Sequence, residues 1–435
     1  MRWGAEMKAA YLTLGCKVNQ YDTEAMQEIL ESHGFKTVNF DEKADVYLIN
    51  TCTVTNIADR KSRQMIHRAV KNNKDAAIIV CGCLAQRSPQ EILDIEGVNA
   101  VIGTKNRASI YRVVMQALNG EAVDAVSDIA SDNEFEKLRI SKSGERTRGH
   151  IKICEGCNNF CSYCIIPYAR GRVRSRSMEE IVDEAKRLSQ NGVKEVVLTG
   201  IHIGSYGKDL VGVSLIDVME SVHNVKNIER IRLGSLEPSL LTEEFCARAS
   251  NLNKLCPQFH VSLQSGSTSV LRRMNRKYTA EEFFQYINNL RRYFENPAIT
   301  TDIISGFVGE TQEEHEETLR FIEKVGFSKI HVFPYSEREG TKAASMPGSV
   351  PLNIRKARGA EIAKAADIMA AKFAQGFVGK ELEVLFEQPS KEKPGLYEGL
   401  TDRHLTVVAD GAANEMKRTL IIERKGAVLY GRCID

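Results

Sequence analysis

The chain has 435 residues and a mass of 48.6 kDa, which is too large for one ordinary domain and predicts about three. Hydrophobic residues make up 43% of it and charged residues 27%, which excludes a disordered or collagen-like chain. The net charge is only +2, so a polyanionic partner would have to bind to local basic patches. Because the sequence has no apolar run of about 18 residues and no signal-peptide pattern at its start, we expect a cytoplasmic protein without membrane contact.

Cysteine usage indicates metal or redox chemistry. The chain has 11 cysteines, an odd number that is too small for a disulfide scaffold of this length. A reducing compartment would keep them as free thiols. Four of them fall within residues 154–164. The others are at positions 16, 52, 81, 83, 246, 256 and 433.

Residues 7–120 repeat one pattern, in which an apolar run stops at a cysteine and an amphipathic stretch follows. The runs are 11–14, 46–49 and 77–80, and the cysteines are Cys16, Cys52 and Cys83. Helices are predicted from about Asp22, as the capping residue, to Ser32, over residues 57–72, and shortly after Pro89. Strands that alternate with helices are typical of an α/β fold with a doubly wound parallel sheet. We therefore expect the three thiols to lie along the carboxyl edge of this sheet.

A polar segment, residues 121–145, loses this periodicity and predicts a solvated linker between domains. Six further apolar runs, separated by helical stretches, occupy residues 146–375. This alternation predicts a partial (β/α)6 barrel whose functional loops follow the carboxyl ends of its strands. The runs are 151–154, 195–198, 231–233, 260–263, 299–304 and 330–333, and the last helix covers 353 to about 373.

The tail, residues 376–435, has the alternation of short strands, at 381–386, 406–408 and 420–422. It predicts a small antiparallel β-barrel, a size class that includes RNA-binding folds. The whole chain is therefore expected to combine a parallel sheet domain, a partial barrel and a small β-barrel.

The strongest chemical motif is the loop after the first predicted barrel strand. Its Cys157, Cys161 and Cys164 are spaced so that each thiolate can bind one iron of a 4Fe-4S cluster, which leaves the fourth iron without a ligand. A structural zinc loop or a set of buried thiols is the alternative, although zinc sites usually pair two cysteine halves and the sequence has no second half. Cys154 is interpreted as a buried packing residue, because a fourth ligand would close the site. The same interpretation applies to Cys81, Cys246, Cys256 and Cys433.

Cys16, Cys52 and Cys83 form a weaker pattern, because they are far apart in the sequence. Their places at three successive strand ends leave two interpretations equally open, a second three-cysteine cluster site or a coincidence of thiols. The fold prediction alone does not choose between them.

Two sets of motifs carry a resemblance to a known family. The loop from Cys157 to Cys164 resembles the CxxxCxxC signature of radical S-adenosylmethionine enzymes, in which the open iron binds the methionine part of the cofactor. Together with residues 14–19, 50–55 and 82–86, this loop is similar to the methylthiotransferases, and the tail is similar to their TRAM domain. The resemblance implies two 4Fe-4S clusters, one on each cysteine triad, and S-adenosylmethionine as the other cofactor.

Residues 17–24, 233–238 and 261–266 most resemble the branch of this family that acts on threonylcarbamoyladenosine in tRNA. The resemblance implies transfer of a methylthio group to carbon 2 of this base at tRNA position 37, next to the anticodon. The alternatives are the two other branches, which act on isopentenyladenosine in tRNA and on an aspartate of a ribosomal protein. A non-catalytic iron-sulfur or zinc RNA-binding protein is the alternative from another class.

The same resemblance assigns roles to residues and partners. Cys157, Cys161 and Cys164 are implied as the catalytic cluster ligands, and the other triad as ligands of the second cluster. Contacts to S-adenosylmethionine are expected near the strand ends, where each residue could equally serve a turn or a cap. These residues are Tyr163, Thr199, Gly200, Ser235, Glu237, Gln264, Asp302 and Gly306. The implied partners are the tRNA anticodon stem-loop and a flavodoxin-type electron donor, with no DNA.

Local charge favours a polyanionic partner. Residues 137–176 contain ten Lys or Arg residues against two acidic ones. Residues 60–74 form a second basic stretch, which a solvated helix face explains almost as well. Arg232 and the run 170–176 are also candidates to bind the carboxylate of a threonylcarbamoyl group, with phosphate contact or plain solvation as their alternative.

Overall fold

A computed structural model describes residues 7–141 and 147–434 of the chain. Lys142 and Arg146 of the predicted basic segment lie outside the described residues. Within the described ranges, the helices are all too short or too polar to span a membrane. The eleven cysteines are all free thiols.

The first unit is a parallel sheet with helices on both faces. Its strands are β1 (Lys8–Thr13), β2 (Lys36–Val38), β3 (Val46–Thr51), β4 (Ala77–Gly82), β5 (Val98–Ile102) and β6 (Val123–Asp124). Its helices are α1 (Lys17–Ser32), α2 (Asn56–Asn72), α3 (Cys83–Arg87), α4 (Pro89–Leu93) and α5 (Ile110–Leu118). The strand order is β2-β1-β3-β4-β5-β6, with α1 and α5 packed on one face and α2, α3 and α4 on the other. The predicted doubly wound sheet is confirmed.

Helix α1 begins earlier than the sequence predicts. Its first residue is Lys17, its N-cap is Cys16, and Asp22 lies in its second turn. The prediction of Asp22 as the capping residue is wrong, because its buried carboxylate pairs with Lys152 at 2.6 Å and with Arg107. Both partners lie outside α1, so the sequence around the helix gives no sign of them.

The second unit is a partial barrel. Its strands are β7 (Arg148–Glu155), β8 (Arg174–Ser175), β9 (Glu195–Gly200), β10 (Arg230–Leu233), β11 (Gln258–His260), β12 (Ala298–Ser305) and β13 (Lys329–Pro334). Its helices are α6 (Ile166–Arg170), α7 (Met178–Gln190), α8 (Leu215–His223), α9 (Glu243–Ser250), α10 (Thr268–Arg273), α11 (Ala280–Tyr293), α12 (Gln312–Val325) and α13 (Leu352–Gln375). Parallel pairing joins β7, β9 and β10 in one sheet and β11, β12 and β13 in another, and isolated bridges connect the two. The short β8 pairs antiparallel with β7. The predicted six-unit partial barrel is confirmed.

The segment between these two units is only partly solvated. Leu138 and Ile140 are fully buried in a core that also contains residues of α1 and of the barrel. The Tyr21 hydroxyl of α1 donates a hydrogen bond to the Leu138 carbonyl at 3.0 Å. The expectation of a solvated linker is therefore wrong at these positions, because its few apolar residues enter a core formed by sequence-distant elements.

The third unit is a closed five-stranded barrel. Its strands are β14 (Glu381–Pro389), β15 (Tyr397–Thr401), β16 (Thr406–Ala409), β17 (Met416–Lys425) and β18 (Val428–Cys433), in the order β14-β15-β16-β18-β17. The pairs are antiparallel except β16 with β18, which is parallel. An odd number of strands cannot alternate in direction all the way around a closed barrel, so at least one parallel pair is required.

Arginines fix this small barrel to the amino-terminal end of the central barrel. Arg230, the first residue of β10, donates to the Leu400 carbonyl at 3.0 Å. Arg232 donates to the Asp402 carbonyl at 2.9 Å and pairs with the buried Glu195 carboxylate at 2.7 Å. Because Arg230 and Glu195 are the first residues of β10 and β9, the small barrel lies opposite the end where functional loops are expected.

We predict that Glu195→Gln lowers the free energy of unfolding by an amount that depends on pH. Burial would raise the pKa of Glu195, but Arg232 outweighs it and holds the pKa below its usual range. A carboxyl with a depressed folded-state pKa stabilises the fold above its unfolded value of about 4.3 and loses this effect as the pH falls. At pH 7 the variant should lose about 3 kcal/mol of unfolding free energy, since Arg232 stays buried without its partner. Urea unfolding at pH 7 and pH 4 should show this loss shrinking at the lower pH.

Glu229→Gln is the matched control, because Glu229 pairs with Lys194 at 3.7 Å on the surface of the same barrel. Its removal should change the unfolding free energy by less than about 0.5 kcal/mol. Equal losses in the two variants, or a Glu195→Gln loss that does not depend on pH, would contradict the assigned role of the buried pair.

Candidate functional site

The loop with Cys157, Cys161 and Cys164 follows β7 at the carboxyl end of the central barrel. Cys157 donates its backbone N–H to the Gly171 carbonyl at 3.0 Å, which closes the loop on itself. Ser162 donates its N–H to the Met274 carbonyl at 3.0 Å and so fixes the loop to the neighbouring barrel loops. The three thiols are close enough that the charge of each acts on the others.

Burial dominates the acidity of these thiols. It raises the pKa of Cys157 to about 11 and that of Cys164 to about 12, and the nearby Cys161 thiol adds to both effects. At neutral pH these sulfurs are therefore protonated until a metal displaces the protons.

Cys161 receives a hydrogen bond from a buried cation. The Arg276 guanidinium donates to the Cys161 sulfur at 3.3 Å and to both carboxylate oxygens of Glu237 at 3.0 and 3.1 Å. His202 lies 3.1 Å from the same carboxylate, and Asn159 donates to it at 3.5 Å. Burial would raise the pKa of Glu237, but the hydrogen bond from His202 and the Arg276 charge lower it. An ionised carboxylate therefore stands beside the cysteine loop.

The second triad lies at the carboxyl edge of the first sheet. Cys16 precedes α1, Cys52 follows β3, and Cys83 begins α3. Gly15 has a φ of +102°, and a Cβ there would come within 3.1 Å of the Cys52 sulfur, so this turn requires glycine. Burial, with the nearby Cys83 thiol, raises the pKa of Cys52 to about 12. The structure therefore brings these three thiols together, although they are far apart in the sequence.

The two triads adjoin each other. Helix α3, which begins at Cys83, packs on α6, which follows directly after the loop of the other triad. From α6, Arg170 donates to the Cys83 sulfur at 3.2 Å and to Glu155 at 2.7 Å. Thr104 of the first unit donates to the Ala169 carbonyl at 2.7 Å. The relative position of the two sites is therefore set by buried polar contacts.

The chemistry of the donors fits iron-sulfur clusters better than single metal ions. Each site offers three thiols, with a guanidinium at one of the sulfurs. Within residues 7–141 and 147–434, no group of three or more His, Cys, Asp or Glu side chains is close enough to hold one metal ion. In a 4Fe-4S site each thiolate binds a different iron, so the sulfurs are spread around a cube.

The residues predicted to contact S-adenosylmethionine are placed unequally. Glu237 lies against the cysteine loop, as described above. Thr199 is buried at the end of β9, and the next residue, Gly200, packs on Cys154, where a Cβ would come within 2.5 Å of the sulfur. Ser235 is exposed after β10. Of these four, only Glu237 has a described contact with the loop of the triad.

The other four predicted contacts serve the barrel and its loops. Gln264 has a φ of +73° and accepts and donates backbone hydrogen bonds to β12, including one to the Asp302 carbonyl at 2.9 Å. The Asp302 side chain lies 3.2 Å from His260. Gly306 donates to Glu310 at 2.8 Å. Tyr163 packs edge-on against Phe307 in a small apolar cluster.

The predicted basic segment is mostly buried and neutralised. Arg174 pairs with Asp132 at 3.5 Å and Arg176 with Glu184 at 2.9 Å, and Arg170 contacts the carboxylates of the α1–β7 region. Their proposed contact with RNA or with a substrate carboxylate is wrong, because buried and paired cations have no free charge to offer. The same holds for Arg232, which pairs with Glu195 and donates to the Asp402 carbonyl at the amino-terminal end of the central barrel.

Some exposed cations remain near the site. Arg172 lies over the Phe160 ring at 4.5 Å, and Tyr168, which is half exposed, packs edge-on against that ring. In the second basic stretch, Arg63 pairs with Glu91 at 2.6 Å, and Arg68 pairs with Asp41. Lys61 is exposed. The usable positive charge is therefore smaller than the sequence count indicates.

Comparison with known proteins identifies the class to which this fold belongs. Residues 8–103 match the uncharacterized protein family UPF0004, and residues 151–322 match the Radical SAM superfamily. The radical S-adenosylmethionine methyltransferase TsrM from Kitasatospora setae, solved with cobalamin and a [4Fe-4S] cluster, superposes with a TM-score of 0.57 over 78% of this chain and 77% of its own. At 16% identity this likeness concerns the fold alone.

Relatives of higher identity define the family. The threonylcarbamoyladenosine tRNA methylthiotransferase MtaB of Bacillus subtilis is 43% identical, over 92% of this chain and 90% of its own length. The protein of the same name from Aquifex aeolicus is 36% identical over 93% and 97%. A tRNA-2-methylthio-N(6)-dimethylallyladenosine synthase from Caldicellulosiruptor saccharolyticus is 37% identical over 97% and 92%. The chain belongs to the radical S-adenosylmethionine methylthiotransferases, in the MtaB branch.

Three residues of the site were missed by sequence reasoning: Asn159, His202 and Arg276. Asn159 lies within the predicted loop and Glu237 is a predicted site residue, but the sequence does not indicate the contact between them. His202 follows β9 and Arg276 follows α10, and no spacing in the sequence links them to the cysteines.

We predict that Gly156→Ala disrupts the cysteine loop. Gly156 has a φ of +72°, and a Cβ there would lie 1.8 Å from the Arg172 carbonyl oxygen, so the bond from Cys157 to Gly171 cannot form. The variant should unfold at lower temperature, and its loop thiols should react faster with iodoacetamide in the iron-free protein.

Gly192→Ala is the control, because Gly192 also has a positive φ of +83° but faces open space. Its cost should be limited to about 1–2 kcal/mol of backbone strain, with unchanged thiol reactivity. If both variants behaved alike, backbone strain alone would account for the effect, and close packing around Gly156 would have no special role.

Proposed function

We propose that this protein adds a methylthio group to carbon 2 of N6-threonylcarbamoyladenosine at position 37 of tRNA, next to the anticodon. One observation carries the proposal: two three-thiol sites adjoin each other across α3 and α6, and we propose that one base reaches both. The names of the relatives in Bacillus subtilis and Aquifex aeolicus support the same activity.

Each triad has a distinct role in this proposal. Cys157, Cys161 and Cys164 hold the 4Fe-4S cluster that binds S-adenosylmethionine, and Cys16, Cys52 and Cys83 hold a second 4Fe-4S cluster. When bound, these clusters would supply the electron for the reductive cleavage of S-adenosylmethionine and the sulfur for transfer to the base.

The residues around the first triad hold charge in place. Arg276 stabilises the thiolate form of Cys161 by a charge-assisted hydrogen bond. Glu237 keeps the guanidinium oriented through two hydrogen bonds and is the proposed acceptor for a polar group of S-adenosylmethionine. Thr199, Gly200, Ser235, Gln264, Asp302, Gly306 and Tyr163 are proposed to line the rest of the cofactor site.

The proposed partner is the anticodon stem-loop of tRNA. Phe160, Tyr168 and Arg172 form an exposed aromatic and cationic surface beside the cysteine loop, which suits stacking of unpaired bases. A flavodoxin-type protein is the proposed electron donor. The eleven free cysteines suit the reducing cytoplasm, where we propose that the protein acts.

We predict that Cys161→Ala removes about half of the bound iron and abolishes reductive cleavage of S-adenosylmethionine, because one of two clusters loses a ligand. Iron and sulfide analysis and detection of 5'-deoxyadenosine measure the two effects. Cys246→Ala, which removes a buried thiol outside both triads, should leave both values unchanged. Normal cleavage by Cys161→Ala would remove this triad from the chemistry.

We predict the opposite pattern for the other triad. The Cys16→Ala, Cys52→Ala, Cys83→Ala triple variant should also lose about half of the iron, yet it should still cleave S-adenosylmethionine. It should add no methylthio group to tRNA, as measured by mass analysis of nucleosides. A normal yield of product would mean that these thiols only stabilise the fold.

We predict that tRNA bearing threonylcarbamoyladenosine is modified in preference to tRNA bearing isopentenyladenosine. Methylthio incorporation into each tRNA by the reduced protein, followed by mass spectrometry, measures this preference. Product on isopentenyladenosine alone would refute the substrate assignment. Product on neither tRNA, with a modified ribosomal protein instead, would exclude RNA as the substrate, and no cofactor cleavage at all would favour a non-catalytic RNA-binding protein.

A further inference from the structure

Arg170 is a fully buried arginine that belongs to one unit and reaches the cysteine triad of the other. It is the last residue of α6, and its side chain has no exposed surface. Nε donates to the Cys83 sulfur at 3.2 Å, Nη1 donates to Glu155 at 2.7 Å, and Nη2 donates to the Asn19 side-chain oxygen. Every nitrogen of the guanidinium is therefore directed at a defined acceptor.

This arrangement is informative because a neutral thiol is a weak hydrogen-bond acceptor, whereas a thiolate is a strong one. A buried guanidinium could be neutralised by Asp22 and Glu155 alone, which lie 3.4 and 2.7 Å from Nη1. Nε is instead directed away from these carboxylates and toward Cys83. The hydrogen bond from Nε therefore stabilises the protein mainly when the Cys83 sulfur carries negative charge.

We propose that Arg170 sets the reduction potential of the cluster held by Cys16, Cys52 and Cys83, which rests on the function proposed above. Reduction adds one negative charge to a cluster, and a hydrogen bond and a positive charge at a ligand sulfur stabilise the reduced form. Arg170 is thus a positioning residue, which acts on the cluster through Cys83. Because it is part of α6, it also makes the environment of this cluster depend on the fold of the other cysteine loop.

The other triad has its own arginine. Arg276 donates to Cys161 at 3.3 Å and is held by Glu237. Since no described contact joins Arg170 to Cys157, Cys161 or Cys164, changes at Arg170 should act selectively on one cluster. This selectivity makes the proposal testable.

The test measures the midpoint potential of one cluster at a time. In protein with Cys157, Cys161 and Cys164 changed to Ala, only the cluster on Cys16, Cys52 and Cys83 can form, and a dithionite titration followed by electron paramagnetic resonance gives its midpoint. Arg170→Met should change the ratio of reduced to oxidised cluster at a fixed potential by about tenfold toward the oxidised form, which is a shift of 59 mV to more negative values for one electron.

Two comparisons separate this effect from a general loss of structure. Arg174→Met removes a neighbouring buried arginine that donates to the Asp132 and Arg170 carbonyls but to no cysteine, and it should leave the midpoint unchanged. In the reciprocal protein, which lacks Cys16, Cys52 and Cys83, Arg170→Met should leave the midpoint of the Cys157 cluster unchanged.

If Arg170→Met does not fold, Arg170→Lys keeps a buried positive charge for Asp22 and Glu155 but loses the guanidinium Nε donor to Cys83, so it should fold and still shift the midpoint to more negative values, by a smaller amount. A loaded cluster with an unaltered midpoint in either variant would overturn the proposal. If the Cys16, Cys52 and Cys83 site binds no iron even with Arg170 present, the proposed function fails at that site, and the role of Arg170 fails with it. The two failures are therefore distinguishable.

Discussion

A buried network of charges between the first unit and the central barrel determines how the two cysteine triads face each other. Asp22 of α1 contacts Lys152 of β7 and Arg170 of α6, and Glu155 of β7 contacts the same two cations. Arg107, from the segment before α5, joins both carboxylates. Removing any one of these groups leaves an opposite charge in a medium of low dielectric, which costs several kcal/mol. The units are therefore held in one orientation, and the placement of both sulfur sites depends on it.

Much of the fold could be predicted, because its signals are local. Apolar runs such as 46–49 and 77–80 stop at polar or cysteine residues and alternate with helical stretches. This pattern is sufficient to predict the strands of a parallel sheet. The network described above could not be predicted. Asp22 and Arg107 are separated by 85 residues, so Asp22 resembles an ordinary helix cap. Leu138 looked like part of a polar linker for the same reason, since its apolar neighbours come from other elements.

The candidate site was likewise only partly predictable, because some of its residues are linked by local spacing and others only by the fold. Cys157, Cys161 and Cys164 could be found because their spacing is itself the signal. Arg276 could not, because its proximity to Cys161 arises only when the loop after α10 folds over the barrel. Charge counts were misleading for a related reason. Arg174 and Arg176 add to the number of basic residues in the sequence, yet both form buried ion pairs inside the protein. A count of cations does not tell which of them remain free to meet a phosphate.

The docking of the C-terminal barrel has a consequence for divergence within the family. Arg230 and Arg232 bind main-chain carbonyl oxygens of residues 400–402, and these acceptors are present whatever side chains occupy the positions. Substitutions on the small barrel can therefore accumulate without loosening its attachment. The outer surface of the small barrel can therefore change in sequence, while its attachment to the central barrel stays the same.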